Sequence, residues 1–432
     1  MIWILYNIIF VLTFALLLPK FLLHMRRRGG YGHNFWQRLS IFSPELKDRL
    51  SEGGWFWVHG VSVGEVFVAL RFMDEVRKKQ PETRFVLTVT TSTGHGIALD
   101  KIDERDVVLY FPVDIPSIMR RMLNLIKPQA LAMIETEIWP NLIRLANARD
   151  ISIYMINGRM SDGSFRGYGW VRSFTSRVLP WMRRIFVQSD LDRERFIALG
   201  APASNIEVVG TAKYETAVCD DGEACKGREI LNAAGCAVDA RILLGASTWA
   251  GEEEVLLDLY IELRQEYKDL FLVLVPRHAE RREEVLKMIA TRNLSVVTRR
   301  DVCAETVEAG VKPDLFLVDT TGELSSFYSH ADIVFVGKSL TQHGGQNPIE
   351  AAACGCAVVV GPNMENFRIV MDDFRKNNAI LEARNSNGLR DCFEELLADD
   401  ERRIELGECA LKTVKQGRGA IVRTVEMMEL NG

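Results

Sequence analysis

The sequence predicts two α/β units, each a doubly wound parallel sheet, behind an apolar N-terminal helix, and three observations carry that reading. Short β-branched or aromatic runs alternate with longer amphipathic segments from residue 55 onward. The rhythm breaks between Thr211 and Gly227, at a stretch carrying Asp220-Asp221-Gly222, and then restarts. A chain of 432 residues is too long for one ordinary core and suits two domains of roughly 180 to 200 residues.

From Ile2 to Pro19 there is no charge, and the apolar run continues past Lys20 to Leu23 before Arg26-Arg27-Arg28. That length is close to the roughly 20 residues needed to cross hydrocarbon, and the arginines belong on the cytoplasmic side. Residues 1–28 are therefore expected to form a single N-terminal membrane anchor, with the globular chain facing the cytoplasm. A partly inserted interfacial helix ranks second, because Pro19 and Lys20 weaken the end of the span. A cleaved signal peptide ranks last, since the positive cluster follows the apolar run instead of preceding it.

Expected strands in the first unit, residues 29–214, are Trp55–His59, Arg84–Val89, Val107–Phe111, Ala130–Ile134, Ile151–Ile156 and Arg184–Val187. Helix-like stretches such as Val66–Lys79 and Ile115–Ile126 lie between them. The second unit, residues 215–432, repeats the pattern with strands at Ile242–Ala246, Phe271–Val275, Leu294–Val297, Leu315–Val318, Ile333–Val336 and Ala357–Val360. Its last helices, roughly Ser386–Gln416, are candidates to pack back on the first unit. Two such units facing a central cleft suit a two-substrate reaction.

Composition narrows the function. A formal net charge of −5 argues against general affinity for nucleic acid. All eight cysteines, at 219, 225, 236, 303, 354, 356, 392 and 409, lack paired C-x-x-C spacing, and neither they nor the seven histidines make a zinc site. They read as reduced thiols in a cytoplasmic domain, so no metal is expected. The absence of a G-x-x-x-x-G-K-[ST] loop weakens an NTPase reading.

The most informative motif runs from Trp55 to Glu65, where an aromatic strand enters a Ser62-Val63-Gly64-Glu65 turn that opens an amphipathic helix. A carboxylate at the carboxyl end of a buried strand is a candidate general base. Glu135 and Glu137 follow the fourth strand at i and i+2; at least one is expected to face the cleft, with Glu135 preferred. Arg159, after Asn157-Gly158, is balanced between receiving an anion and pairing with Glu135 or Glu137. Lys213, in Gly210-Thr211-Ala212-Lys213, places a cation suited to a departing phosphate, against the bland reading of a solvated surface lysine.

In the second unit Pro276-Arg277-His278 follows a strand and offers a fork of donors. Thr320 to Glu323 follow the strand ending at Val318-Asp319 and offer amides at a helix start, with a simple cap as the plainer reading. Gly344 to Glu350 is the strongest local signal. Its paired glycines admit close backbone approach, Pro348 suits a first helical turn, and the Glu350 carboxylate suits the hydroxyls of a ribose.

Together these segments resemble the 3-deoxy-D-manno-octulosonic acid (Kdo) transferases of lipopolysaccharide assembly, which have the GT-B glycosyltransferase fold. The resemblance rests on the N-terminal apolar stretch with its arginines, His59 to Glu65, Glu135 to Asn141, Asn157 to Arg159, Phe196 to Ala201, Gly210 to Lys213, Pro276 to His278, Asp319 to Glu323 and Gly344 to Glu350, in that order. It implies an inverting transfer of Kdo from CMP-Kdo to a lipid A precursor, lipid IVA, drawn from inner-membrane lipids. Glu65 would be the base, and Glu135 and Lys213 would stabilise the transition state. Pro276, Arg277, Thr321, Gly322, Glu323, Asn347, Pro348, Ile349 and Glu350 would hold CMP-Kdo. The family suggests no tightly bound cofactor.

The sequence departs from the family pattern at Gln346 and Trp249, where histidine is usual, and at Gln37 and Ser40, where glutamate and glycine are usual. The alternatives are another GT-B enzyme using a different nucleotide sugar, a sugar-nucleotide epimerase, and a catalytically silent membrane-tethered binding module.

Overall fold

Seven parallel strands make up the sheet of each unit in the computed structural model, which describes residues 2–28, 34–215, 217, 219–302 and 313–428. Cys303 lies outside the described residues, as do the side chains of Arg26 to Arg28. The chain divides into two compact units, Met1–Thr216 with Gly419–Gly432, and Ala217–Arg418.

In unit 1 the strands are β1 (Phe56–Gly60), β2 (Phe85–Val89), β3 (Val107–Tyr110), β4 (Ala130–Ile134), β5 (Ser152–Gly158), β6 (Arg184–Val187) and β7 (Ile206–Val208), in the order β3-β2-β1-β4-β5-β6-β7. Every described pairing is parallel, so helical crossovers cover both faces. Trp55 and Trp57 enter one core with Val86 and Leu109, while Phe56 and Val58 enter the other with Phe85 and Leu87. Both faces being buried explains why these strands are continuous apolar runs rather than alternating ones.

In unit 2 the strands are β8 (Arg241–Thr248), β9 (Leu270–Pro276), β10 (Val296–Thr298), β11 (Leu315–Leu317), β12 (Ile333–Val336), β13 (Ala357–Val360) and β14 (Leu381–Glu382), in the order β10-β11-β9-β8-β12-β13-β14. The strand order reverses between β1 and β4 in unit 1 and between β8 and β12 in unit 2. Such switch points open a crevice at the strand carboxyl ends, where ligands bind. The edge strands β7 and β14 were not expected from the sequence.

The helices Ser386–Ala398 and Asp400–Gly417 stay within unit 2. It is the following helix, Ala420–Met427, that joins unit 1, placing Ile421, Val425 and Met428 in the core beside Phe72 and Val76. The Arg423 guanidinium donates to the Val209 carbonyl at 2.7 Å, and the Gly419 N–H donates to Glu215 at 2.7 Å.

The N-terminal apolar run forms one helix, Ile2–Arg28, with Pro19 inside it. The expected membrane anchor is corrected here: among the described residues no helix is long and apolar enough to cross a membrane. The physical reason lies along its inner face, which is committed to unit 1. Tyr6 donates its hydroxyl to the buried Asp114 at 3.0 Å, and the Asn141 amide donates to Asn7 at 2.8 Å. Trp3 stacks 5.8 Å from Trp181, and the Arg144 guanidinium lies over its ring. The opposite face exposes Ile4, Leu5, Ile8, Leu12 and Leu16.

Candidate active site

The Ser62 to Glu65 turn is a reciprocal helix cap. The Glu65 N–H donates to the Ser62 hydroxyl at 3.4 Å, and the Glu65 carboxylate receives the Ser62 O–H at 2.9 Å and the Val61 N–H at 2.7 Å. The side chain is buried at the carboxyl end of β1, against the switch point. Desolvation raises its pKa, with a further push from Glu135, offset in part by those hydrogen bonds. A buried carboxylate of raised basicity that keeps a lone pair available is what general-base catalysis needs.

Glu135 follows β4, the strand adjacent to β1, with φ at +59°. This is the left-handed region, costly for a residue with a Cβ and characteristic of strained functional loops. Asn157 at the end of β5, Ser247 in β8 and Lys338 after β12 also have positive φ, at 58°, 54° and 57°. Other residues of positive φ, such as Lys127, Asp150, Asn293 and Asn378, precede strands instead, so the backbone conformation alone does not mark the site.

Glu137, two residues on, is the more perturbed carboxylate. Burial and the nearby charge of Glu65 push it up to about 7. The sequence reading preferred Glu135, and the structure adds Glu137 to the cluster. Thr136 ties this loop to the next, accepting the Arg159 N–H at 3.1 Å and donating to the Arg159 carbonyl. The Asn157 side chain accepts the Ala212 N–H at 2.9 Å, which fixes the start of the Ala212–Glu215 turn carrying Lys213. Burial lowers the Lys213 pKa to about 8, helped by Arg159 and opposed by Glu135. Glu65, Glu135, Glu137, Arg159 and Lys213 thus share one electrostatic neighbourhood.

His59 belongs to the core. It is fully buried, its ring stacks 3.8 Å from Phe111 and its Nδ1 lies 3.0 Å from the Thr88 carbonyl; burial drives its pKa down to about 3. Two of the departures from the family pattern are accommodated locally. Gln37 is buried and accepts the Tyr110 N–H at 3.0 Å, and Ser40 has φ at 54°, a conformation that favours glycine.

In unit 2 Arg277 is exposed just beyond β9, while Pro276 is buried as the strand's last residue. Asn347 donates to Glu350 at 2.9 Å and accepts the Ile349 N–H at 3.1 Å, so it shapes the loop and orients the carboxylate together. Glu350 is open to solvent yet walled by protein. Desolvation raises its pKa, moderated by Asn347 and by the charge of Arg277. Pro348 is buried and the Ile349 side chain lies in the core, so only the backbone of Ile349 is placed to meet a ligand. Gly344 and Gly345 have φ at 108° and 69°, and a Cβ on Gly345 would meet the Met364 sulfur at 2.3 Å.

Thr321 and Gly322 are exposed after β11, but the Glu323 carboxylate is paired with Arg299 at 2.7 Å and receives the Thr320 hydroxyl. The helix that follows, Ser325–Tyr328, has four residues, too short to develop a useful dipole. Sequence reasoning missed Glu252, which is fully buried and accepts the N–H groups of Trp249, Lys338, Ser339 and Leu340 at 2.8 to 3.0 Å. Its position three residues after Trp249, whose carbonyl accepts the Glu252 N–H, is the capping spacing that would have found it. Trp249 itself lies under the Lys338 ammonium, 4.8 Å from the ring centroid, and edge-on to His278 at 5.1 Å. Among the described residues, no group of three or more His, Cys, Asp or Glu is placed to hold a metal ion.

Two parallel α/β units, one with perturbed carboxylates and a lysine at its switch point and the other with a glycine loop, arginine and carboxylate at its own, define a GT-B-type glycosyltransferase. Residues 33–216 match the 3-deoxy-D-manno-octulosonic-acid transferase (kdotransferase) family, and residues 256–413 match the group 1 glycosyl transferases. A 3-deoxy-D-manno-octulosonic acid transferase of Bordetella pertussis is 30% identical over 437 residues, spanning 97% of this chain and 98% of that one. Its counterpart in Haemophilus influenzae is 28% identical over 90% of this chain and 93% of that one. A solved glycosyltransferase from Rickettsia africae shares the fold, with a TM-score of 0.58 at 13% identity over 87% of this chain and 97% of that one. The chain belongs to the Kdo transferase family.

Proposed function

We propose that this glycosyltransferase moves Kdo from CMP-Kdo to a lipid A precursor, lipid IVA, in lipopolysaccharide core assembly, with Glu65 as the general base. Family membership supports the reaction class. The observation that carries the residue assignment is the cluster at the β1–β4 switch point, where a capped, buried Glu65 of raised pKa sits among Glu135, Glu137 and Lys213.

Glu65 takes the proton of the acceptor hydroxyl as that oxygen bonds the anomeric carbon of Kdo and the bond to CMP breaks, which inverts the configuration. Lys213, cationic near neutrality with its pKa about 8, meets phosphate charge as it develops, and Arg277 offers a second cation. Glu135 steadies Lys213 in its charged form. Asn347 and Glu350 engage the ribose hydroxyls of CMP, while the flanking amides of the Gly344 to Ile349 loop and of Thr321 to Glu323 approach its polar groups. The acceptor is a lipid, so the enzyme works at the cytoplasmic face of the inner membrane, with the exposed apolar face of the N-terminal helix lying in the interface.

Mass spectrometry of the lipid after incubation with CMP-Kdo and lipid IVA tests this. The expected product has gained one or more Kdo masses, and the gain disappears with Glu65→Gln. No gain with saturable CMP binding would refute the acceptor, and no CMP binding would refute the donor.

A further inference from the structure

Beneath the N-terminal helix lies a cavity of about 440 Å³, inside the roughly 300–1,000 Å³ range of small-molecule sites. Phe10, Phe14 and Leu17 of the helix form one wall, and Phe111, Val113 and Trp139 of the sheet's carboxyl edge form the other. The accessible lining is overwhelmingly carbon. Asp114 also borders it, but its carboxylate is engaged by the Asn141 and Leu142 N–H groups, at 3.0 and 2.9 Å, and by Tyr6.

We propose that this cavity is an acyl-chain slot that seats one alkyl chain of the lipid acceptor while its sugar headgroup lies at Glu65. The inference rests on the lipid acceptor proposed above and adds a binding subsite to it. Three observations select an alkyl chain as the occupant. The lining offers apolar contact and little else, which suits a hydrocarbon rather than a sugar or peptide. One side of the cavity is the helix whose outer face exposes Ile4, Leu5, Ile8 and Leu12, so a chain leaving the slot passes onto apolar surface.

The other side is built from the loops that carry the carboxylates. Trp139 stands two residues from Glu137 and packs 4.9 Å from Phe111. Thr90 borders the cavity and accepts the Arg38 guanidinium at 2.7 Å, and its neighbour Thr91 donates to the Val61 carbonyl, in the turn that caps Glu65. A chain in the slot is therefore tethered beside the base.

Fluorescence titration of the full chain with cis-parinaric acid, an 18-carbon conjugated fatty acid, tests the slot without catalysis. Saturable binding is expected, with saturated fatty acids displacing the probe more tightly by up to roughly fourfold per added methylene until the slot is full. Thr13→Trp, which adds bulk at an exposed position on the cavity's rim, should weaken the probe at least tenfold and raise KM for acylated acceptor without changing CMP affinity. Ile8→Ser with Leu12→Ser, on the outer face, should lower binding to anionic phospholipid vesicles and leave probe binding intact.

Absence of saturable probe binding, a length series with no plateau, or probe binding indifferent to Thr13→Trp would overturn the slot. Loss of probe binding in the outer-face variant would also overturn it, in favour of a membrane-surface role for the whole helix. Probe binding that Thr13→Trp removes, in a protein that transfers no Kdo to any lipid, would leave the slot standing and refute the acceptor.

Discussion

Glu65 holds a helix start and the proposed proton acceptor on one carboxylate. The two roles separate by substitution, because a glutamine keeps the Val61 N–H on its one carbonyl oxygen and can donate its amide to the Ser62 hydroxyl in place of accepting from it, but no longer takes a proton. Glu65→Gln should therefore lower transfer by about 10²- to 10⁴-fold while CMP binding and the melting temperature hold; near-normal turnover would rule out the base. Glu350→Ala should instead raise KM for CMP-Kdo, and an unchanged value would remove the ribose contact. Glu137 gives a prediction in pH. Its carboxyl titrates at about 7 folded against an ordinary 4.5, so the folded state holds an extra proton between those values. The stability this confers is complete below 4.5 and is lost as pH rises through about 7. Glu137→Gln should be as stable as the parent near pH 4.5 and more stable at pH 8, by roughly 3 kcal/mol; equal melting at pH 8 would show that Glu137 is not strained when ionised. Glu65 was legible in the sequence because a cap motif follows an aromatic strand. Glu137 was read only as one of a pair, because spacing at i and i+2 does not tell which carboxylate the surrounding protein desolvates more.

Among the elements, the loop after β12 depends on a helix far away in sequence. Glu252, at the start of the helix Glu252–Glu266, gathers four N–H groups, three of them from Lys338, Ser339 and Leu340 just upstream of the paired glycines. Glu252→Ala leaves those donors buried without an acceptor. It should destabilise unit 2 by about 2 to 4 kcal/mol and weaken CMP binding, read as a lower melting transition and a higher dissociation constant; a wild-type transition would show that water or another group replaces the carboxylate. The sheet interiors were readable as apolar runs of four to six residues bounded by turns. Two of the four edge strands were not, since Ile206–Val208 has three residues and Leu381–Glu382 two, too few to show a period. The N-terminal helix was legible as a helix but misread as a span. Hydropathy sees its apolar residues and not the seats that Asp114 and Asn141 provide for Tyr6 and Asn7.

At the scale of the whole molecule, unit 1 is interrupted by unit 2 and completed by the helix Ala420–Met427. A chain ending at Arg418 loses Ile421, Val425 and Met428 from one face of the first sheet, each worth about 1.5 to 3 kcal/mol of burial. Calorimetry of that truncation should show the transition of unit 1 lowered and that of unit 2 retained; two unchanged transitions would mean the returning helix is dispensable. The sequence reading expected the chain to return to the first unit but assigned the return to Ser386–Gln416, because an amphipathic helix does not declare which sheet it will cover. The discontinuity also sets a timetable. A ribosome must make all of unit 2 before it reaches the helix that closes unit 1, a delay of roughly 10 to 40 s at the usual pace of synthesis. Throughout that interval the helix Val63–Lys79 carries an uncovered apolar strip around Phe72 and Val76, which makes the half-made protein a natural client for chaperones that shield emerging chains.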